Sequence, residues 1–309
     1  MSAPILITGG LGLVGTGLTH ALARLSDIVQ LLDLRAPAGS SLGDVRDKED
    51  VLRAVSGCRG VVHLAAVSRV IWGERDPALC MATNVGGTRN VLEAAIASPN
   101  RPWVLLASSR EVYGEPDHLP VNEDTPLRPM NVYGHSKAEA ERAVIEVGAA
   151  GHLAAIVRLS NVYGSTADHG DRVLPAFARA AALGLPLRVD GAGHTFDFTH
   201  LDDTVAGLVA IIRLLDSGMR VPPLHLLTGV PTTLAEAAGL AVRLAGSGSR
   251  VVPGAQREYD VARFVGDPSR AKTVLGWSSR ISLEAGLARL VSDFQNSLEA
   301  RPVGKVVLP

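Results

Sequence analysis

The stretch ILITGGLGLVG, residues 5–15, constrains this chain more than any other. A short apolar run meets four glycines, Gly9, Gly10, Gly12 and Gly15, and a helix-length segment, GLVGTGLTHALARL, follows at once. The glycines read as Gly10-x-Gly12-x-x-Gly15 and equally as Gly9-x-x-Gly12-x-x-Gly15. Glycine at these points permits a tight turn from strand to helix and lets backbone approach a pyrophosphate. The helix N-terminus then supplies amide donors and a favourable dipole. The next apolar run, IVQLLDL, ends on Asp33, near the ~20-residue offset at which an acid meets a ribose diol. Asp33 favours NAD, while Arg35 beside it keeps NADP open.

The alternation continues. KEDVLRAVSG reads as helix, GVVHLAA as strand, NVGGTRNVLEAAIAS as helix, PWVLLASS as strand, YGHSKAEAERAVIEVG as helix and HLAAIVRLS as strand. The strand runs are continuously apolar, as expected for strands buried on both faces of a parallel sheet. The fold class expected is α/β: a doubly wound parallel Rossmann sheet with a smaller C-terminal substrate-binding domain. Residues 1–162 form the NAD-binding part. Residues 163–309 are mainly substrate-binding, with segments around 197–229 returning to the Rossmann core. In that second part RVLPAFARAAALG and TLAEAAGLAVRLAG read as helices, and LPLRVDG and LHLLTG as short strands. The tail ARPVGKVVLP lacks periodicity and is expected to be mobile.

Composition narrows the partners. A net charge of −1 gives no electrostatic reason to expect nucleic acid or an acidic membrane surface. No apolar run approaches the ~20 residues of a membrane span. Cys58 and Cys80 form no metal spacing and no disulfide framework, and the nine histidines show no zinc-like spacing, so no metal is expected. His63 is read as packing beneath the cofactor. The chain runs from MSAPILITGG straight into a strand, which leaves no room for a signal peptide and suggests a cytoplasmic protein.

VYGHSK, residues 132–137, places Tyr133 and Lys137 on one helix face. A lysine beside a phenol favours the phenolate, which then takes a proton from an alcohol as hydride leaves to NAD. Ser109, at the end of the fourth strand, is placed to bond the same hydroxyl.

These stretches together resemble the extended short-chain dehydrogenase/reductase family, in particular its NAD-dependent epimerase/dehydratase branch acting on nucleotide sugars, over residues 4–295. TGGLGLVG is similar to its phosphate loop, and GDVRD (43–47), HLAA (63–66), NVGGT (84–88), SSREVYG (108–114), RLSNVYG (158–164), DFTHLDD (197–203) and DPSRAKTVLGW (267–277) are similar to further landmarks. The resemblance implies cofactor contacts from Gly9, Gly12, Leu13, Val14, Gly15, Asp33, Asp44, Val45, Leu64, Ala65, Ala66, Asn84, Ala107, Tyr133, Lys137 and Leu159. It implies catalysis by Tyr133, Lys137 and Ser109, with Glu111 in a secondary role. It implies substrate contacts from Ser109, Asn161, Val173, Phe196, Arg257 and Asp260, and a homodimer through the helices that start near Asn84 and Tyr133.

The chain also departs from the family pattern. Arg110 stands where 4,6-dehydratases often carry an aspartic acid, and it cannot protonate a leaving group. Glu111 is either a base near C5 or a partner for Arg110. GAGHTFDF (191–198) has Phe196 where the family has a phosphate-clamping arginine, and His194 in place of a glutamine. Either Arg257 carries the phosphate or the head group is altered. Cys80 and Met81 stand near a usual aromatic and are read as core packing. The expectation is a nucleotide-sugar C4 epimerase using NAD. The alternatives are a decarboxylase, dehydratase or 4-keto-reductase using Glu111, or a non-catalytic NAD-binding protein.

Overall fold

The computed structural model describes residues 3–35 and 42–299; the tail ARPVGKVVLP lies outside the described residues. The first strand, β1 (Ile5–Thr8), leads into α1 (Leu13–Arg24) and β2 (Val29–Leu32). There follow α2 (Lys48–Val55), β3 (Gly60–His63), the short helices α3 (Val70–Arg75) and α4 (Pro77–Met81), and a π-helical turn over Ala82–Gly86 that runs into α5 (Gly87–Ala97). Next come β4 (Trp103–Ser109), a 3-10 turn (Arg110–Tyr113), α6 (Val132–Ala149) and β5 (Ala154–Leu159).

Side chains alternate across a strand, so a continuously apolar run feeds two cores. Ile5 and Ile7 of β1, with Leu105 of β4, pack under Leu18 and Leu22 of α1. Leu6, Val104 and Leu106 face the other way, onto Val51, Val91 and Val144 of α2, α5 and α6. The result is a sheet covered by helices on both faces.

The second part of the chain contains β6 (Asn161–Tyr163), α7 (Val173–Ala182), β7 (Leu187–Asp190), β8 (Thr195–His200), α8 (Leu201–Asp216), β9 (Leu224–Leu226), β10 (Pro231–Thr233), α9 (Leu234–Ala245), β11 (Val251–Gly254), α10 (Ser269–Leu275) and α11 (Leu283–Glu299). The main sheet has the order β2-β1-β3-β4-β5-β9, parallel throughout. Strand β9 therefore pairs with β5, and α8 lies against α1 on the first core. The strand order reverses between β1 and β3, which is where ligands bind in open α/β sheets. A three-stranded sheet, β10-β8-β6, and a parallel pair, β11-β7, enclose a third core with α7, α9 and α11, built on Leu174, Phe177, Phe198, Phe264 and Leu290.

Below the carboxyl ends of β4 and β5 sits a buried polar network. Arg158 of β5 donates through Nε and Nη2 to Glu141 of α6, at 3.0 and 2.7 Å. Its Nη1 donates to Tyr113 Oη at 2.7 Å and to the Glu123 carbonyl at 2.8 Å. Both ionic side chains are sealed from water. Removing one partner of such a pair leaves an uncompensated buried charge. Arg158→Met is expected to cost about 3–5 kcal/mol in urea unfolding, and adding Glu141→Leu to recover most of it. A loss below ~1 kcal/mol for the single change would rule the pair out as a clamp.

Candidate functional site

The glycine loop is built for close approach. Gly9 adopts φ +67°, and a Cβ there would stand 2.7 Å from Ala65 N. A Cβ on Gly15 would stand 2.5 Å from the Gly9 carbonyl oxygen, so the loop and the first turn of α1 touch backbone to backbone. Gly12 is the N-cap of α1 and offers no side chain to the free amides. The Asp33 carboxylate accepts from Leu11 N at 3.0 Å and from Arg35 N at 3.0 Å, which ties the glycine loop to the end of β2. This cradle fits the pyrophosphate of a dinucleotide, with Asp33 at hand for a ribose.

From that loop a cleft of about 560 Å³ runs across the carboxyl ends of the strands. Gly9, Gly12, Leu13, Val14, Gly15, Leu64, Ala66, Ala107 and Leu159 line one end. Ser109, Glu111, Tyr133 and Lys137 line the middle, with Asn161, Val173 and Phe196; Arg257 and Asp260 line the cleft as well. Five other residues expected at the cofactor do not line the cleft. Asp33 holds the glycine loop, Ala65 covers Gly9, and Asp44 is paired with Arg46. Val45 packs against Gly87. Asn84, in the π-helical turn, is buried; its carboxamide accepts from Val67 N at 2.8 Å and donates to Ser136 Oγ at 2.8 Å. These bonds brace the segment after β3 against α6. His63 is likewise bound between Thr8 and Thr88, and burial pushes it down to about 3.

Helix α6 starts at Asn131, whose Oδ1 accepts from Gly134 N at 2.8 Å. Gly134 is required there, since a Cβ would stand 2.6 Å from the Glu111 carbonyl oxygen. Tyr133 and Lys137 thereby come to rest beside the end of β4. Burial pushes the Tyr133 hydroxyl up to about 12; a hydrogen bond with Ser109 and the charge of Arg172 pull it down, and Glu111 pushes it up. Burial lowers Lys137 to about 8, and its Nζ donates to the Ala107 carbonyl at 3.0 Å. Arg172, which the sequence reading did not single out, thus places a positive charge near Tyr133.

Glu111 is fully engaged. Its Oε1 pairs with Arg110 Nη2 at 2.8 Å and its Oε2 accepts from Asn131 Nδ2 at 2.8 Å. Arg110 lies over the Phe196 ring, 4.4 Å from its centroid. Asn131, Arg172 and Asp168 are residues around the site that sequence reasoning missed, while the pairing of Arg110 with Glu111 was one of the two readings left open. Asn131 alone carried a visible signal, a capping residue just before a helix. Among the described residues, no cluster of three His, Cys, Asp or Glu is placed to hold a metal, and no helix is long and apolar enough to cross a membrane.

A family model described as the NAD dependent epimerase/dehydratase family matches residues 5–221. A putative UDP-glucose 4-epimerase of Methanocaldococcus jannaschii is 29% identical over 307 residues, covering 95% of this chain and 99% of that protein. UDP-glucuronic acid decarboxylase 1 of Danio rerio is 30% identical, covering 96% of this chain and 73% of that protein. The crystal structure of Thermus thermophilus UDP-glucose 4-epimerase in complex with NAD superposes with a TM-score of 0.86 at 27% identity, over 95% of this chain and 99% of that one.

The lowered pKa of Lys137 gives a stability prediction. In the unfolded chain the amine holds its proton up to about pH 10.4, whereas in the fold it gives it up near 8. The cost of burying the ammonium is therefore full below pH 8 and is relieved as pH rises through 8 to 10. Relative to Lys137→Met, the wild type should gain up to about 1.4 kcal/mol per pH unit across that window in denaturant unfolding. A stability gap that stays flat with pH would contradict a buried, charged Lys137.

Proposed function

The chain belongs to the NAD-dependent epimerase/dehydratase family, and from that premise we propose that it is a nucleotide-sugar epimerase acting at C4 with NAD. The observation that carries this reading is the double engagement of Glu111 by Arg110 and Asn131. A carboxylate with both oxygens bonded is poorly placed to remove a C5 proton, the task a dehydratase or decarboxylase would ask of it. That leaves Ser109, Tyr133 and Lys137, the set needed for reversible oxidation of a secondary alcohol.

In this mechanism the sugar lies in the cleft with its 4-hydroxyl between Ser109 and Tyr133. Ser109, which lines the cleft beside Tyr133, orients the hydroxyl. Tyr133 takes the hydroxyl proton and returns it at the end of the cycle. Lys137, fixed to the Ala107 carbonyl, places a positive charge under the tyrosine's helix turn. The chemistry NAD supplies when bound is hydride acceptance from C4 and its return to the opposite face of the 4-keto sugar. The glycine loop, Asp33 and the start of α1 would hold the dinucleotide, and Asp33 supports NAD over NADP. Arg257, half exposed and paired with Asp260 at 2.8 Å, is the guanidinium offered to the substrate diphosphate. Exposed Ile96 on α5 and Ile145 on α6 support a homodimer through those helices.

The test is NMR in deuterated water with NAD and a panel of UDP-, dTDP- and GDP-sugars. C4 epimers should interconvert without deuterium uptake. Tyr133→Phe should slow turnover roughly 10²–10⁴-fold, the usual worth of a general acid/base, whereas Glu111→Gln should cost less than ~tenfold. Deuterium at C5, or loss of a carboxylate, would move the assignment to Glu111 chemistry.

A further inference from the structure

The buried polar atoms that find no hydrogen-bond partner within the protein are concentrated in the cleft. Among the described residues, Ser108 Oγ, Arg110 Nη1, Asp168 Oδ2, Arg172 Nε and His194 Nε2 all belong to residues lining it, while His152 Nδ1 and Thr199 Oγ1 lie elsewhere. Buried polar groups are ordinarily paired, so such a cluster marks a place where something else completes the bonds. Two of the five are guanidinium N–H groups, which donate and never accept.

These two flank the reacting centre. Arg110 directly follows Ser109 at the end of β4, is more than nine-tenths buried, and is fixed in place. Its Nη2 is held by Glu111 at 2.8 Å, and its guanidinium carbon lies 4.4 Å from the Phe196 ring centroid and 5.8 Å from that of Phe264. Arg172 is the N-cap of α7, and its charge reaches the Tyr133 hydroxyl. Its Nε stands 3.2 Å from Asp168 Oδ1 yet makes no aligned hydrogen bond with it.

We propose that Arg110 and Arg172 together bind a carboxylate carried next to the reacting carbinol, so that the substrate is a nucleotide-linked uronic acid. This rests on the reading that Ser109 and Tyr133 address a sugar hydroxyl. A ring hydroxyl both donates and accepts, whereas a carboxylate only accepts, and its two oxygens match two obligate donors. Arg172 is paired with Asp168 through a single 3.2 Å contact at Nε that is not aligned for a hydrogen bond, which leaves donors of the guanidinium for a ligand. The exchange of the family's arginine for Phe196 then has a physical reason. An aromatic face at 196 supports the Arg110 guanidinium, where a second cation would repel it. No bond to the carboxylate is made or broken in the epimerisation.

The experiment compares uronate and hexose pairs that share a nucleotide (UDP, dTDP, GDP), with NAD present, reading both turnover and binding by titration calorimetry. The wild type should favour the uronate in kcat/KM by roughly tenfold to a hundredfold, the worth of charge-assisted hydrogen bonds to a carboxylate. Arg110→Met and Arg172→Met should each shrink that ratio by about tenfold, mainly through the KM for the uronate. Should Arg110→Met fail to fold, the wild-type ratio and Arg172→Met decide. Equal or better use and binding of the hexose overturns the proposal. Tighter uronate binding without turnover of either sugar would uphold the carboxylate site and remove the epimerase reading.

Discussion

Arg158 reaches from the fifth strand into a space closed on every side, and three other stretches of chain meet on it. Glu141 binds it from α6, Tyr113 from the turn after β4, and the Glu123 carbonyl from the loop beyond. Tyr113 Oη shares a 2.6 Å hydrogen bond with His225 of β9, whose backbone N–H donates to Glu123. Glu141 lies one helical turn beyond Lys137, so this clamp fixes the register of the helix that bears the Tyr–Lys pair. A buried ion pair contributes little net stability, because desolvation offsets the Coulomb gain. Its effect here is geometric: it leaves α6 a single way to sit against the sheet.

Electrostatics of the cleft follow a similar logic of pairing. Each arginine that lines it has an acidic partner that also lines it: Arg69 with Asp171, Arg110 with Glu111, Arg172 with Asp168, Arg188 with Asp190 and Arg257 with Asp260. Charges of opposite sign are thus held ready at close quarters without a strong net field. An anionic ligand gains only where it does better than the carboxylate already there, which rewards correct shape over charge alone.

Much of the framework was legible because the sheet is buried on both faces, so its strands appear as unbroken apolar runs such as VLLA in β4. The glycine loop was legible because close backbone contact excludes a Cβ. The short helices α3 and α4 were not recognised, although Asp76-Pro77 is a start signal and Asp76 does cap Leu79 N at 2.9 Å. The bonds by which Asn84 braces the segment after β3 against α6 were not legible, because they depend on which buried donors lie near it in space. Two readings of Glu111 stayed open in the sequence because its second partner, Asn131, lies 20 residues away. Arg172 was unreadable: it sits in ADHGDRV, a charged stretch that looks solvated until the loop folds over the cleft.

Asn131 deserves a different description from the one its capping role suggests. One carboxamide oxygen starts the helix of Tyr133 and Lys137, while the nitrogen of the same group restrains Glu111 and also reaches the Tyr259 carbonyl at 3.2 Å. A single amide thus ties the start of the helix that carries Tyr133 and Lys137 to the carboxylate of the strand-end turn, so a change at Asn131 alone would loosen Glu111 and the helix start together.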